Sequence, residues 1–321
     1  MNKEILFLNP VFTHNIWGGT KLREEYGCDV EGDDIGECWG VAAHENGNCT
    51  VKNGEFAGHT LADLWDSHRE LFGGIDGVRF PLLIKIIDAK DDLSIQVHPD
   101  DAYAAEHENG SFGKMECWYI LDCKEDSTLV IGHNARTKEE LCDMIEGKKW
   151  KEFIREIPVK KGDFIQIDPG TVHAIKGGIT LLETQQNSDI TYRVYDYDRL
   201  SNGKKRELHV EKSIDVINAP ASAAQDSIHN FAVVKKNKPV LMEKSAYYRV
   251  WKLVVNANDD STLALSKEKD FNADYLLVSV AAGSGSINGT SIKKGDHFII
   301  TKACDSIELA GDMELIVSAE I

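Results

Sequence analysis

Apolar and polar positions along this chain alternate in short bursts far more often than they recur at helical spacing. Segments 80–87, 93–97, 116–121, 128–131, 164–167, 179–184 and 190–195 are short, apolar or alternating, and bounded by turn-forming residues, which predicts strands. The same texture returns at 250–255, 275–280, 284–287 and 297–300. Helical patterns are few. Thr60 opens a run with Leu61, Leu64, Trp65, His68 and Leu71 at helical spacing, closed by Gly73-Gly74. Thr137 followed by Glu140 reads as a capping box and predicts a helix over 141–157, breakable near Gly147. Asp100 and Asp101 ahead of Ala102-Tyr103-Ala104-Ala105 read as a short capped helix.

Many short strands without interleaved helices point to an all-β sandwich or barrel, not a parallel α/β sheet. The length of 321 residues fits two domains, and the small-residue stretch 219–224 reads as the hinge between them. A faint repeat crosses that hinge: Lys160-Lys161-Gly162-Asp163-Phe164-Ile165 resembles Lys293-Lys294-Gly295-Asp296-His297-Phe298-Ile299. The first copy runs on to Pro169-Gly170-Thr171-Val172-His173, whereas the second lacks the Pro-Gly and that histidine.

Composition narrows the setting. A formal net charge of -17 repels phosphate backbones and anionic membranes, so neither a nucleic acid nor a membrane is an expected partner. The start of the chain does not read as a signal peptide, and no stretch approaches the ~18 apolar residues of a membrane span. Seven cysteines, odd in number and without a CxxC pair, disfavour a disulfide framework or thiolate zinc site and fit a reducing cytoplasm.

Strand parity gathers the candidate chemistry. In 93–99, Ser94, Gln96 and His98 share one face while Leu93, Ile95 and Val97 take the other. A polar strand face is often nothing more than a solvated one. Lys114 and Glu116 share a face at the entry to an apolar strand, where a buried charge needs a partner; a metal would satisfy Glu116, as would a plain Lys–Glu pair. Pro169-Gly170 makes a tight turn that delivers His173 to the start of a strand. His98, Glu116 and His173, with the amide oxygen of Gln96, form a nitrogen and oxygen set suited to zinc or another first-row divalent ion, and without thiolates such a site is catalytic in type. Asp189, Thr191 and Arg193 share a face in 188–199, where Arg193 either braces a buried acid or meets an anionic substrate.

These residues bring a family into view. The chain resembles the type I mannose-6-phosphate isomerases (phosphomannose isomerases) in their short bacterial form, through Pro10-Val11-Phe12, Ile16-Trp17-Gly18-Gly19, Ile35-Gly36-Glu37-Cys38-Trp39, Pro81-Leu82-Leu83-Ile84-Lys85, 93–99, Gly113-Lys114-Met115-Glu116, 170–174, 189–199 and Arg206-Glu207-Leu208-His209. The resemblance implies two cupin-type jelly-roll barrels with a few inserted helices: a catalytic metal-binding domain over 1–220 and a C-terminal barrel over 221–321 without metal ligands. It implies one zinc ion on Gln96, His98, Glu116 and His173, with Arg193 catalytic. Trp17, Glu37, Lys85, Ser94, Lys114 and Asp189 would line the pocket. Cys38 stands where the family commonly has Ser, and the large helical insertion of longer members is missing.

The implied reaction interconverts mannose 6-phosphate and fructose 6-phosphate through a cis-enediol, with a small-molecule sugar phosphate as partner and the oligomeric state left open. A divalent ion polarises the carbonyl oxygen, and Arg193 stabilises the charge that develops there. Lys114, Lys85 and Ser94 are the candidates for the phosphate. Lys114 is equally a candidate base, alongside metal-bound hydroxide, Glu37 and Asp189. Another cupin sugar-phosphate isomerase, a non-catalytic sugar-phosphate sensor and a metal-dependent oxygenase are the competing readings.

Overall fold

Strand pairing is antiparallel throughout and builds three substantial sheets. The computed structural model describes residues 4–201, 203–257 and 262–321. A seven-stranded sheet runs Ile228–Asn230, Asp163–Ile167, Glu116–Asp122, Ile179–Gln186, Leu82–Ala89, Val11–Gly19 and Ile35–Val41 in spatial order. A five-stranded sheet runs Ile154–Pro158, Thr128–His133, His173–Ala174, Ile95–Val97 and Tyr192–Tyr195. Apolar side chains including Trp17, Ile87, Trp118, Leu129, Ile131, Ile165 and Leu181 form one buried cluster drawn from both sheets. This is the packed all-β architecture expected from the alternating texture, in the jelly-roll form that the family resemblance implies.

The third sheet has nine strands, among them Tyr248–Ala257, Ser306–Glu320, Leu276–Ile287 and His297–Ile300, around a core of Leu253, Val255, Leu276, Val278, Phe298 and Leu315. It also takes Ile5–Asn9 and Thr50–Val51 from the front of the chain, with Ile5 opposite Ile300. In the other direction, Ile228–Asn230 joins the seven-stranded sheet by pairing with Asp163–Ile167. Strand pairing therefore crosses residue 220 both ways.

Every predicted strand segment is found, with informative changes of extent. Segments 275–280 and 284–287 are one bent strand, Leu276–Ile287, whose register shifts between Val280 and Ala282; Gly283, at φ 74°, sits next to the shift. The helix over 141–157 is a correction. It stops at Glu146, a single turn Trp150–Phe153 follows, and Ile154–Pro158 is a strand paired with Thr128–His133. The edge of the five-stranded sheet offers backbone partners that local spacing cannot register, and Pro158 is tolerated because that strand lies at the edge. Thr137 does cap the helix, but the Glu140 carboxylate accepts from the Arg136 N–H, so the box is not reciprocal. The full capping box occurs instead at Thr60 and Asp63, opening Leu61–Ser67.

The two repeat copies make the same turn. Asp163 accepts from the Lys160 N–H and Asp296 from the Lys293 N–H, each at 2.8 Å. Gly162 and Gly295 take φ of 86° and 90°, where a side chain would be strained.

Candidate metal centre and cleft

Three neighbouring strands of the five-stranded sheet put Arg193, Gln96 and His173 directly opposite one another, so their side chains share a face. His98 follows two residues after Gln96 with the same parity. Ile95 and Val97 point the other way, into a cluster with Leu141, Phe153 and Ile217 beneath the helices. Leu93 departs from that parity and packs with Trp17 and Ile87 in the barrel core, because the regular strand begins only at Ile95. Glu116 comes from the facing seven-stranded sheet, at the first position of Glu116–Asp122.

The ligating atoms of His98, Glu116 and His173 all lie within 4.8 Å of one another, and all three residues are buried. His98 Nε2 is 3.4 Å from Glu116 Oε2, and His173 Nε2 is 3.3 Å from Oε1. Each ring donates its Nδ1–H to a backbone carbonyl, of Ile190 for His98 and of Thr171 for His173, leaving the Nε2 lone pairs aimed at the carboxylate. Burial, and then the Lys114 ammonium, push His98 down to about 3; burial also lowers His173, so both rings are neutral. Burial alone would raise the Glu116 carboxyl, but Lys114 and the two rings hold it well below the usual range. No well-directed hydrogen bond reaches either Glu116 oxygen or His173 Nε2, although Lys114 Nζ lies 2.5 Å from Oε2. A buried anion and a His173 lone pair without a donor, beside a His98 lone pair that meets only Lys114, are what a divalent cation satisfies, so these residues fit a metal.

In front of the triad opens a cleft of about 160 Å³. Trp17, Glu37, Lys85, Ser94, Gln96, Lys114, Asp189 and Arg193 all line it, so the structure brings the expected pocket residues together. Glu37 is held by Trp39 Nε1 at 2.8 Å, Thr13 Oγ1 at 3.1 Å and Lys85 Nζ at 3.4 Å. Burial would raise its carboxyl, but Lys85 and those donors keep it lowered. Lys114 Nζ also stands 3.0 Å from His98 Nε2. Asp189 is fixed at the rim by Asn46 Nδ2 at 2.6 Å, with His44 Nε2 at 3.6 Å. Arg193 donates to the Glu207 carbonyl and has no carboxylate ion pair among the described residues; burial and neighbouring Arg206 lower its pKa.

Two cleft residues escaped the sequence reading of the pocket. Glu183 is buried between the two lysines, 3.6 Å from Lys85 Nζ and 3.7 Å from Lys114 Nζ, and accepts from Trp118 Nε1. Burial, then the Glu116 charge, raise its carboxyl. Its signal was a lone acid inside the apolar strand 179–184. Arg206 is locked onto Asp196 by two hydrogen bonds of 2.7 and 2.6 Å, and only its place in a recognised motif marked it.

A larger cavity, of about 580 Å³, lies against the C-terminal sheet between Arg249, Lys267 and Asp274. Lys302 there pairs with Asp274, and Lys267 donates to the Thr301 backbone carbonyl. Among the described residues the only cluster of potential metal ligands is the triad.

Comparison with known proteins agrees with this geometry. The family model "Phosphomannose isomerase type I, catalytic domain" matches residues 5–110, and "Mannose-6-phosphate isomerase, cupin domain" matches residues 261–320. The chain is 48% identical to the mannose-6-phosphate isomerase ManA of Bacillus subtilis, over 99% of both chains. It is 44% identical to the mannose-6-phosphate isomerase of Streptococcus mutans, over 98% of both. The crystal structure of a mannose 6-phosphate isomerase from Bacillus subtilis superposes with a TM-score of 0.86 at 42% identity, covering 98% of this chain and 99% of that one.

Proposed function

The chain belongs to the type I phosphomannose isomerases, and from that premise we propose that it is a zinc-dependent aldose–ketose isomerase interconverting mannose 6-phosphate and fructose 6-phosphate. The observation that carries the reading is the buried His98–Glu116–His173 triad, neutral at both rings and unsatisfied at both Glu116 oxygens and at His173 Nε2. Gln96, beside His173 in register, is the fourth ligand in this proposal. A nitrogen and oxygen set without thiolate suits zinc in a catalytic site. When bound, the ion supplies a Lewis acid for the sugar's carbonyl oxygen.

The chain's own residues do the rest. Three cationic side chains, Lys85, Lys114 and Arg193, meet four carboxylates, Glu37, Glu116, Glu183 and Asp189, while Arg206 is already balanced by Asp196. A divalent ion added to that balance leaves the cleft positive, which suits a phosphate dianion in a protein of strongly negative charge. Among the described residues Arg193 forms no ion pair with a carboxylate, so its charge is available to the oxygen that becomes negative as the C–H bond breaks. Lys114, touching both His98 and Glu116, moves a proton at the sugar oxygens. Trp17 walls the cleft from water, and Glu37, Lys85, Ser94 and Asp189 bind and orient the sugar.

We assign the metal site to a domain over 1–220 and a supporting role to a barrel over 221–321. Seven free cysteines fit a cytoplasmic setting, and no helix among the described residues is long and apolar enough to cross a membrane. A coupled assay on mannose 6-phosphate, before chelation, after it and after zinc is restored, tests the proposal. Activity lost and regained with zinc supports it. Turnover untouched by thorough chelation removes the metal role, and no turnover by zinc-loaded protein points to a sensor or another sugar phosphate.

A further inference from the structure

A small hairpin reaches the rim of the cleft just after the strand that carries Glu37. Ala43–His44 pairs with Gly47–Asn48, with Glu45 and Asn46 at the turn, two residues past the end of Ile35–Val41. Its base is tied down by buried Asn187, whose Nδ2 donates to the Ala43 carbonyl at 2.9 Å and to the Phe80 carbonyl at 2.8 Å. Gly47 lies against the Trp39 indole, where a Cβ would come within 2.6 Å of the ring, so the backbone can approach that closely only as glycine.

From this base the hairpin aims two groups at Asp189, 143 positions after Asn46. Asn46 Nδ2 donates to Asp189 Oδ2 at 2.6 Å. The Asn46 N–H donates to His44 Nδ1 at 3.2 Å, so that nitrogen is the acceptor and Nε2 carries the hydrogen, 3.6 Å from Asp189 Oδ1. Each carboxylate oxygen thus faces a donor on the hairpin, while Asp189 itself lines the cleft. Asp189 keeps 38% of its side chain in solvent, so these donors, and not core packing, set its orientation. His44 also stands edge-on to Trp39, with 6.0 Å between ring centres, and Trp39 Nε1 donates to Glu37. One indole therefore carries the supports of both Glu37 and Asp189.

We propose that His44 and Asn46 are positioning residues, holding the Asp189 carboxylate in the one orientation from which it accepts hydrogen bonds from hydroxyl groups of the sugar. The proposal deepens the isomerase reading and rests on it. A carboxylate is an acceptor only and sugar hydroxyls donate, so the chemistry matches. An acceptor that is already ordered loses no rotamer freedom when substrate arrives, and affinity gains by that amount. Among the described residues no hydrogen bond or ion pair joins the hairpin to the His98–Glu116–His173 triad or to Arg193. Its loss therefore weakens binding and spares the chemical step, raising KM at constant kcat. A hydrogen bond to a charged group at a half-exposed rim stands at the low end of its range, which corresponds to about three- to tenfold.

Steady-state kinetics on mannose 6-phosphate with the full-length, zinc-loaded protein test this. Asn46→Ala, and His44→Phe, which keeps a ring against Trp39, should each raise KM about three- to tenfold with kcat within about twofold of wild type. Asn46→Asp sets a second carboxylate against Asp189 and should raise KM further, by an excess over Asn46→Ala that concentrated salt narrows. Combining Asn46→Asp with Asp189→Asn remakes the bond with donor and acceptor exchanged but takes the carboxylate out of the cleft, so KM should stay high. A wild-type KM in that double variant would overturn the proposal, because the bond would then be only a tie between loops. An unchanged KM in Asn46→Ala, or a fall in kcat without a rise in KM, would overturn it as well. Calorimetric binding of mannose 6-phosphate to the same proteins needs no turnover. Wild type that binds without turning over would sink the isomerase reading alone; weaker binding by Asn46→Ala would still support the clamp, and equal binding would overturn it.

Discussion

Replacing Arg193 by alanine probes the electrostatic argument most directly. Arg193 stands in register with Gln96, which in turn pairs with His173, so all three share the face that looks into the cleft. Its neighbour Arg206 is already committed to Asp196, whereas the Arg193 Nε is buried without a partner and its Nη1 reaches only a backbone carbonyl. The charge therefore faces the cleft uncompensated, and most of its interaction energy is kept for a partner that becomes negative during reaction. Losing one such contact costs ~3–4 kcal/mol of barrier, or about 100- to 1000-fold in kcat. Because the cleft keeps Lys85, Lys114 and Arg206, KM should rise by less than about tenfold. Arg193→Lys, which retains charge without the planar fork, should fall between wild type and alanine. Steady-state kinetics on mannose 6-phosphate, with zinc content verified, measure both terms. A large rise in KM with kcat preserved would refute the reasoning and make Arg193 a phosphate ligand.

Three further expectations follow from the same geometry. Zinc should raise the thermal midpoint of metal-free protein, by ~4 kcal/mol of stability when free ion exceeds Kd about 1000-fold, and Glu116→Gln should abolish that gain, as calorimetry with and without zinc will show. Burial, then Lys52, lowers His297 to about 4, so the unfolded chain takes a proton near pH 6.5 that the folded one refuses. That contribution is whole above pH 6.5, declines as pH falls toward 4, and totals ~3 kcal/mol; urea unfolding across that window should show a slope that His297→Gln flattens. Lys252, buried in the C-terminal sheet, contacts Glu314 at 2.9 Å and the Tyr119 hydroxyl at 2.5 Å. Lys252→Met should cost about 2–3 kcal/mol, less than a fully buried pair because Glu314 keeps some solvent, and a denaturation midpoint equal to wild type would count against the link.

The buried His98–Glu116–His173 triad was readable because strand parity is a short-range rule and each of its residues sits near a punctuated turn. Lys114 and Glu116 flanked the start of an apolar strand, and Pro169-Gly170 announced His173. Glu183 was not readable as a pocket residue: it follows Leu181-Leu182 in a strand with no turn or motif beside it, and only pairing across Leu82–Ala89 and Glu116–Asp122 sets it between two lysines. Ile154–Pro158 was lost for a related reason, since an edge strand is defined by the sheet it joins and not by its own spacing. Ile5–Asn9 shows the extreme case, an early segment whose partners arrive at the other end of the chain. Arg206 was visible only through family likeness, because the acid that orients it is ten positions earlier in a loop.

That arrangement of Ile5–Asn9 has a consequence on the ribosome. Its register partners, Phe298 to Ile300, are made about 290 residues later. At ~5–20 residues per second the apolar side chains of Ile5, Leu6 and Leu8 wait about 15 to 60 seconds for the strand that shields them. The barrel of the seven- and five-stranded sheets can assemble in the meantime, but Val11–Gly19 begins two residues after the waiting strand, so a finished wall of the cleft hangs from an unfinished edge. During synthesis this edge is the exposed adhesive of the molecule, and chaperone binding to nascent chains should concentrate there and vanish once residue 300 has cleared the exit tunnel.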